Sequence, residues 1–91
     1  MHILWTPAAA ADLQSISDYL QEHHPHYRQA TLRKLYQSIL SLKEWPSRGR
    51  AGTEEGTREL VFPPMPYIAV YRVRSQSIEV LRVYHGAQNR G

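Results

Sequence analysis

The hydrophobic period changes halfway along this chain, and no other feature constrains its fold as strongly. In the first half, apolar residues recur at three- and four-residue spacings: Leu13, Ile16 and Leu20, then Leu32, Leu35, Ile39 and Leu42. In the second half they gather in short runs rich in β-branched and aromatic residues, at 57–62, 67–74 and 77–84. The first pattern buries one stripe of a helix, and the second suits a strand with at least one buried face. Two helices followed by strands predict a two-layer α+β domain with a single modest core over residues 1–91.

Local punctuation sets the boundaries. Residues 2–6 form a short apolar strand ending at Thr6-Pro7, where threonine is suited to cap a helix and proline to occupy its first position. The first helix runs from about Ala8 to His23, with Asp12, Ser15, Asp18 and Glu22 outward, and stops at His23-His24-Pro25 because the residue before proline disfavours the helical region. A second helix over 26–44 completes a hairpin and ends at Trp45-Pro46, where a glycine-punctuated loop over 47–53 begins. Three strands follow, interrupted at Pro63-Pro64-Met65-Pro66 and at Ser75-Gln76. Such short connections predict an antiparallel meander, with the N-terminal strand completing the sheet in the order β-α-α-β-β-β.

Composition narrows the chemistry. The chain has no cysteine, so a disulfide scaffold and thiolate zinc or redox sites are excluded. The N-terminal segment lacks the pattern of a signal peptide and no apolar run is long enough to span a bilayer, so the expectation is a soluble cytoplasmic protein with no membrane partner. The net charge of +3 lies wholly in residues 46–91, as Arg48, Arg50, Arg58, Arg72, Arg74, Arg82 and Arg90 against four glutamates. Arginine clustered on strands and their loops points to recognition of an anion or an acidic partner. The cluster His23-His24-Pro25-His26 is broken by proline and has only Glu22 at ligand spacing, so it reads as the inter-helix connection; neither metal nor cofactor is expected. Trp5 and Trp45 flank helix ends and read as core anchors.

Several segments carry a family resemblance: Trp5-Thr6-Pro7 before Ala11-Asp12-Leu13, the turn Gly49-Arg50-Ala51-Gly52, Gly56 to Leu60, Tyr67 to Val73, and Leu81-Arg82-Val83-Tyr84-His85-Gly86-Ala87. In order and spacing they resemble the RelE/ParE superfamily of bacterial toxins over nearly the whole chain, and look most like ParE-type members. The resemblance implies a type II toxin that inhibits growth when free of a small acidic antitoxin. Two targets follow from it. ParE-type members poison DNA gyrase, whereas RelE-type members cut mRNA on the ribosome. The absence of lysine after Lys43 favours the first by a narrow margin, and a non-toxic antitoxin- or RNA-binding module is the third reading.

Were the chain a ribonuclease, self-cleavage of RNA through its 2′-hydroxyl would need a proton acceptor, a proton donor and cations on the phosphate. His85 and Tyr84 are candidates for proton transfer or base stacking, and Arg58 and Arg82 for holding the phosphate, provided that the end of the last strand brings them into one cleft. Arg48, Arg50 and Arg72 extend the expected anion- or target-binding surface. Should gyrase be the target, the same arginines face a protein.

Overall fold

A computed structural model describes residues 1–86 of the chain. Elements follow in the order β1 (His2–Trp5), α1 (Pro7–His23), α2 (Pro25–Leu40), a short 3₁₀ turn (Ser41–Lys43), β2 (Arg50–Ala51), β3 (Arg58–Phe62), β4 (Met65–Val73) and β5 (Ser77–His85). They form one five-stranded sheet, β1-β5-β4-β3-β2, with the helical hairpin across one face. The two-layer α+β architecture and the meander β3-β4-β5 are as the sequence predicts. Ala87, which belongs to the resemblance, and Arg90, which belongs to the arginine count, lie outside the described residues.

Helix α1 begins as its sequence dictates. The Thr6 side chain accepts a hydrogen bond from the Ala9 amide at 3.1 Å, with Pro7 in the first turn. Its hydroxyl also donates to the Leu81 carbonyl at 3.0 Å, so the cap of α1 is tied to β5. Strand β1 runs parallel to β5, from His2 opposite Ser77 to Trp5 opposite Val80. Inward stripes of both helices and the 3₁₀ turn meet the sheet: Ala9, Leu35 and Ile39 from the helices and Leu42 from the turn pack on Leu60, Phe62, Ala69, Tyr71, Ile78, Val80 and Val83, all essentially buried. Leu13 and Ile16 extend this core as half-buried contacts.

Three boundaries depart from the sequence expectation, each for a tertiary reason. Strand β2 lies within the predicted loop; at two residues it is too short to leave a periodic trace, and pairing with Arg58 and Glu59 defines it. Strand β4 starts at Met65 despite Pro66, because the pairing with β3 jumps from Val61–Ile68 to Phe62–Met65. Proline therefore sits at an irregularity where β3 requires no amide from it, while its carbonyl accepts from Gly86. Helix α2 gives way to the 3₁₀ turn after Leu40, with Leu42 still fully buried.

The strand pairing assigns the two faces. Arg58 stands opposite Tyr71, which is opposite Val80, so Arg58 lies on the helix-covered side together with Leu60 and Phe62. A bulge at Leu81 shifts the register, and Arg82 falls opposite Val70 on the other side.

Candidate functional site

Beyond Trp5, β1 no longer covers β5, and three backbone groups of β5 there need partners. Helix α1 supplies them. The Thr6 amide donates to the Val80 carbonyl at 3.1 Å, the Thr6 hydroxyl takes the Leu81 carbonyl, and Asp12 Oδ2 accepts from the Val83 amide at 2.9 Å. The same carboxylate receives the Arg82 guanidinium in a two-pronged bond, Nε to Oδ2 at 2.7 Å and Nη2 to Oδ1 at 3.0 Å. These hydrogen bonds hold the Arg82 proton more tightly than usual, raising the group above its ordinary range. The guanidinium also lies 5.0 Å from the centre of the Tyr84 ring. Arg82 is thus neutralised within the fold. Sequence reading placed Asp12 outward among the solvated acids of α1, and helical spacing alone carries no sign that its carboxylate caps a strand.

Arg58 has a different role. Its Nη1 donates to the carbonyls of Gly49, at 2.8 Å, and Ser47, at 3.4 Å. Tyr71, fully buried two strands from the edge, reaches the same segment: its hydroxyl donates to the Pro46 carbonyl at 2.7 Å and accepts from the Gly49 amide at 2.8 Å. Burial raises the Tyr71 phenol above its ordinary 10.0, although the bond from Gly49 and the nearby Arg58 and Arg48 oppose that rise. Gly49 has no room for a side chain, since a β-carbon there would lie 2.7 Å from the Tyr71 hydroxyl and 2.8 Å from the Glu59 carbonyl. The loop 46–49 is therefore fixed from below, with Arg48 and Arg50 projecting on either side of the glycine.

Those two arginines differ in their partners. Arg50 pairs at 3.0 Å with Glu59, whose side chain is only 5 % exposed, on the sheet face away from the helices. Arg48 donates at 2.6 Å to the Ser41 hydroxyl, a neutral acceptor. Arg72 stands opposite Glu79 in the register, and Arg74 contacts Glu79 at 3.4 Å. The pocket on the outer sheet face has both signs on its walls, Glu54 and Glu59 with Arg82.

The ribonuclease arrangement considered above needs Arg58, Arg82, Tyr84 and His85 in one cleft. His85 does end β5, opposite Tyr67, and packs edge-on against that ring at 5.8 Å on the helix-covered side. It lines a groove with Asp12, Ile16, Tyr19 and Tyr67. Arg58 shares that side but sits about 13 Å away along the strands and about 10 Å across them, by ordinary sheet spacings. Arg82 is on the opposite face, with Tyr84 beside it. The fold does not gather the four into a single cleft.

Trp5 half-buries against Tyr36, edge-to-face at 6.1 Å. Trp45, read from the sequence as a core anchor, is instead 65 % exposed, because the 3₁₀ turn after α2 swings the chain away from the core before the indole can enter it. Among the described residues, no group of three or more His, Asp or Glu side chains is placed to hold a metal ion. No helix among them is long and apolar enough to cross a membrane.

Residues 3–90 match the family described as the ParE toxin of the type II toxin-antitoxin system parDE. The chain belongs to the ParE toxin family. Within the wider RelE/ParE superfamily of type II toxins, it is 37 % identical over 86 residues to the toxin RelE2 of Caulobacter vibrioides, a match covering 94 % of this chain and 96 % of that protein. It is 34 % identical to RelE1 of the same organism, covering 97 % and 96 %. Its fold superposes with a TM-score of 0.81 and 28 % identity on a chain of the chromosomal ParDE system of P. aeruginosa, over 93 % of this chain and 95 % of that one. A chain of the E. coli DinJ-YafQ complex shares the fold alone, with a TM-score of 0.66 at 15 % identity over 98 % and 97 %. In this member of the ParE family, then, arginines stand on the sheet and on the loop after α2, and Arg48, Arg50, Arg58, Arg74 and Arg82 are each engaged by groups of the fold itself.

Proposed function

We propose that this ParE-family toxin inhibits growth by poisoning DNA gyrase in the cytoplasm, and that a small acidic antitoxin silences it. The observation that carries the reading is the state of the arginines. A ribonuclease must bring unneutralised cations and a proton-transfer group to one phosphate. Here Arg82 is held by Asp12, while Arg58 and His85 stand far apart on the sheet. The match to the parDE family over residues 3–90 and the likeness to the ParDE chain point the same way. In this reading Arg48, Arg50, Arg58, Arg72 and Arg82 belong to the target-facing or anion-binding surface, with Arg58 and Arg82 shaping it through the contacts described above. The antitoxin's seat is the apolar groove between the helices and β1, lined by Trp5, Leu13, Leu32 and Tyr36. A segment that is disordered when free would cover this groove and place its acids near the basic half.

The decisive experiment mixes purified toxin with gyrase, supercoiled plasmid and ATP, and scores linear DNA after denaturation. Linear product should rise with dose. If folded, growth-inhibiting protein produced none, the gyrase reading would give way to ribosome-dependent mRNA cleavage. That second reading draws on the relatives named RelE1 and RelE2 and on His85 at a strand end, and would assign proton transfer to His85 or Tyr84 and phosphate contact to Arg58 and Arg82.

A further inference from the structure

Trp45 is the largest apolar side chain this fold leaves in solvent, and it sits on a loop held at many points. The Trp45 carbonyl accepts from the Arg48 amide and the Trp45 amide donates to the Ser41 carbonyl. The next two carbonyls, of Pro46 and Ser47, are taken by Tyr71 and Arg58. Arg48 is steadied by the Ser41 hydroxyl, and among the described residues no carboxylate pairs with its charge. An indole and an uncompensated guanidinium on a preorganised turn are the side chains that dominate protein interfaces, and a loop already ordered loses little entropy on binding.

From this we infer that the knuckle formed by residues 44–48 is the part of the toxin surface that docks a segment of its target protein, an inference that rests on the gyrase reading. The chemistry of the groove selects the occupant. The groove is lined by the apolar Trp45 and Pro46, by the polar Ser41 and Ser47, and by one charge of each sign, Arg48 and Glu44. A nucleic-acid backbone carries one sign of charge and is repelled by the Glu44 carboxylate in that lining. A protein segment that lays an apolar side chain on Trp45 and an acidic one against Arg48 matches both the apolar and the basic part of that lining. Tyr71 and Arg58 act here as positioning residues, because they grip the backbone that carries the knuckle without reaching its outer surface.

The test measures binding of the full-length toxin to immobilised gyrase for wild type, Trp45→Ala, Arg48→Ala and the control Tyr27→Ala, which removes an equally exposed aromatic from α2. Circular dichroism and thermal midpoints establish that all four are folded. Trp45→Ala and Arg48→Ala should each weaken binding by about tenfold or more, and Tyr27→Ala should leave it unchanged. Wild-type binding that survives both knuckle substitutions overturns the inference while leaving the gyrase reading intact. Absence of wild-type binding overturns that reading and the inference with it. Loss of affinity for a single-stranded RNA oligonucleotide in the two variants, with gyrase binding unaltered, would make the occupant a nucleic acid and also overturn the inference.

Discussion

The open edge of β5 and the loop after α2 both rely on arginine, but with opposite electrostatic results. At the β5 edge, Arg82 meets Asp12, whose side chain is 17 % exposed, and the pair closes a seam between helix and sheet. At the loop, Arg58 from β3 and Arg48 from the loop itself bind carbonyl and hydroxyl oxygens, which orient a guanidinium without cancelling its charge. The first region becomes part of the scaffold, while the second remains a rigid, positively charged projection. Arginine content therefore says little about where an acidic partner will dock until the acceptor of each guanidinium is known.

Experiments that break this contrast can be ordered by expected size. Gly49→Ala should destabilise the protein by about 3 kcal/mol in urea denaturation, because its methyl group would collide with the Tyr71 hydroxyl and the Glu59 carbonyl. Asp12→Ala should cost about 2 kcal/mol, since it orphans the Val83 amide as well as freeing Arg82. Arg82→Ala leaves that amide bonded and loses a pair that water partly screens, so about 1 kcal/mol is expected; the double variant should cost less than the sum. If Arg82→Ala proved the more damaging of the two, the strand-capping role of Asp12 would be wrong.

Alkaline pH sharpens the contrast at the loop. Burial raises the Tyr71 and Tyr67 phenols above 10.0, so the unfolded chain ionises first. The neutral phenols contribute their full stability below about pH 10, and it is lost as pH climbs through the folded-state values. Thermal midpoints should therefore fall above about pH 10, and less steeply in Tyr71→Phe. The smallest effect on stability belongs to Arg48→Ala, within about 0.5 kcal/mol, yet the same variant should lose most of its growth inhibition. Equal toxicity at equal expression would remove Arg48 from the target-facing surface.

Much of the fold was legible in the sequence because it depends on local periodicity. The stripes Leu13-Ile16-Leu20 and Leu35-Ile39-Leu42, the Thr6-Pro7 start, the His24-Pro25 break and the three runs of the meander each leave a mark within a few residues. The resemblance in the same residues also sufficed to reach the family. The partners of the arginines left no such mark. Asp12 and Arg82 are 70 residues apart, Tyr71 and Pro46 25, and Gly49 and Tyr71 22. Which carboxylate quenches which guanidinium, and whether Trp45 enters the core, depends on how β1 ends beside β5 and how the 3₁₀ turn leaves α2. Those are properties of assembled elements: hydrogen bonds and ion pairs are short-ranged, so they are decided only when packing brings distant residues within about 3 Å of each other.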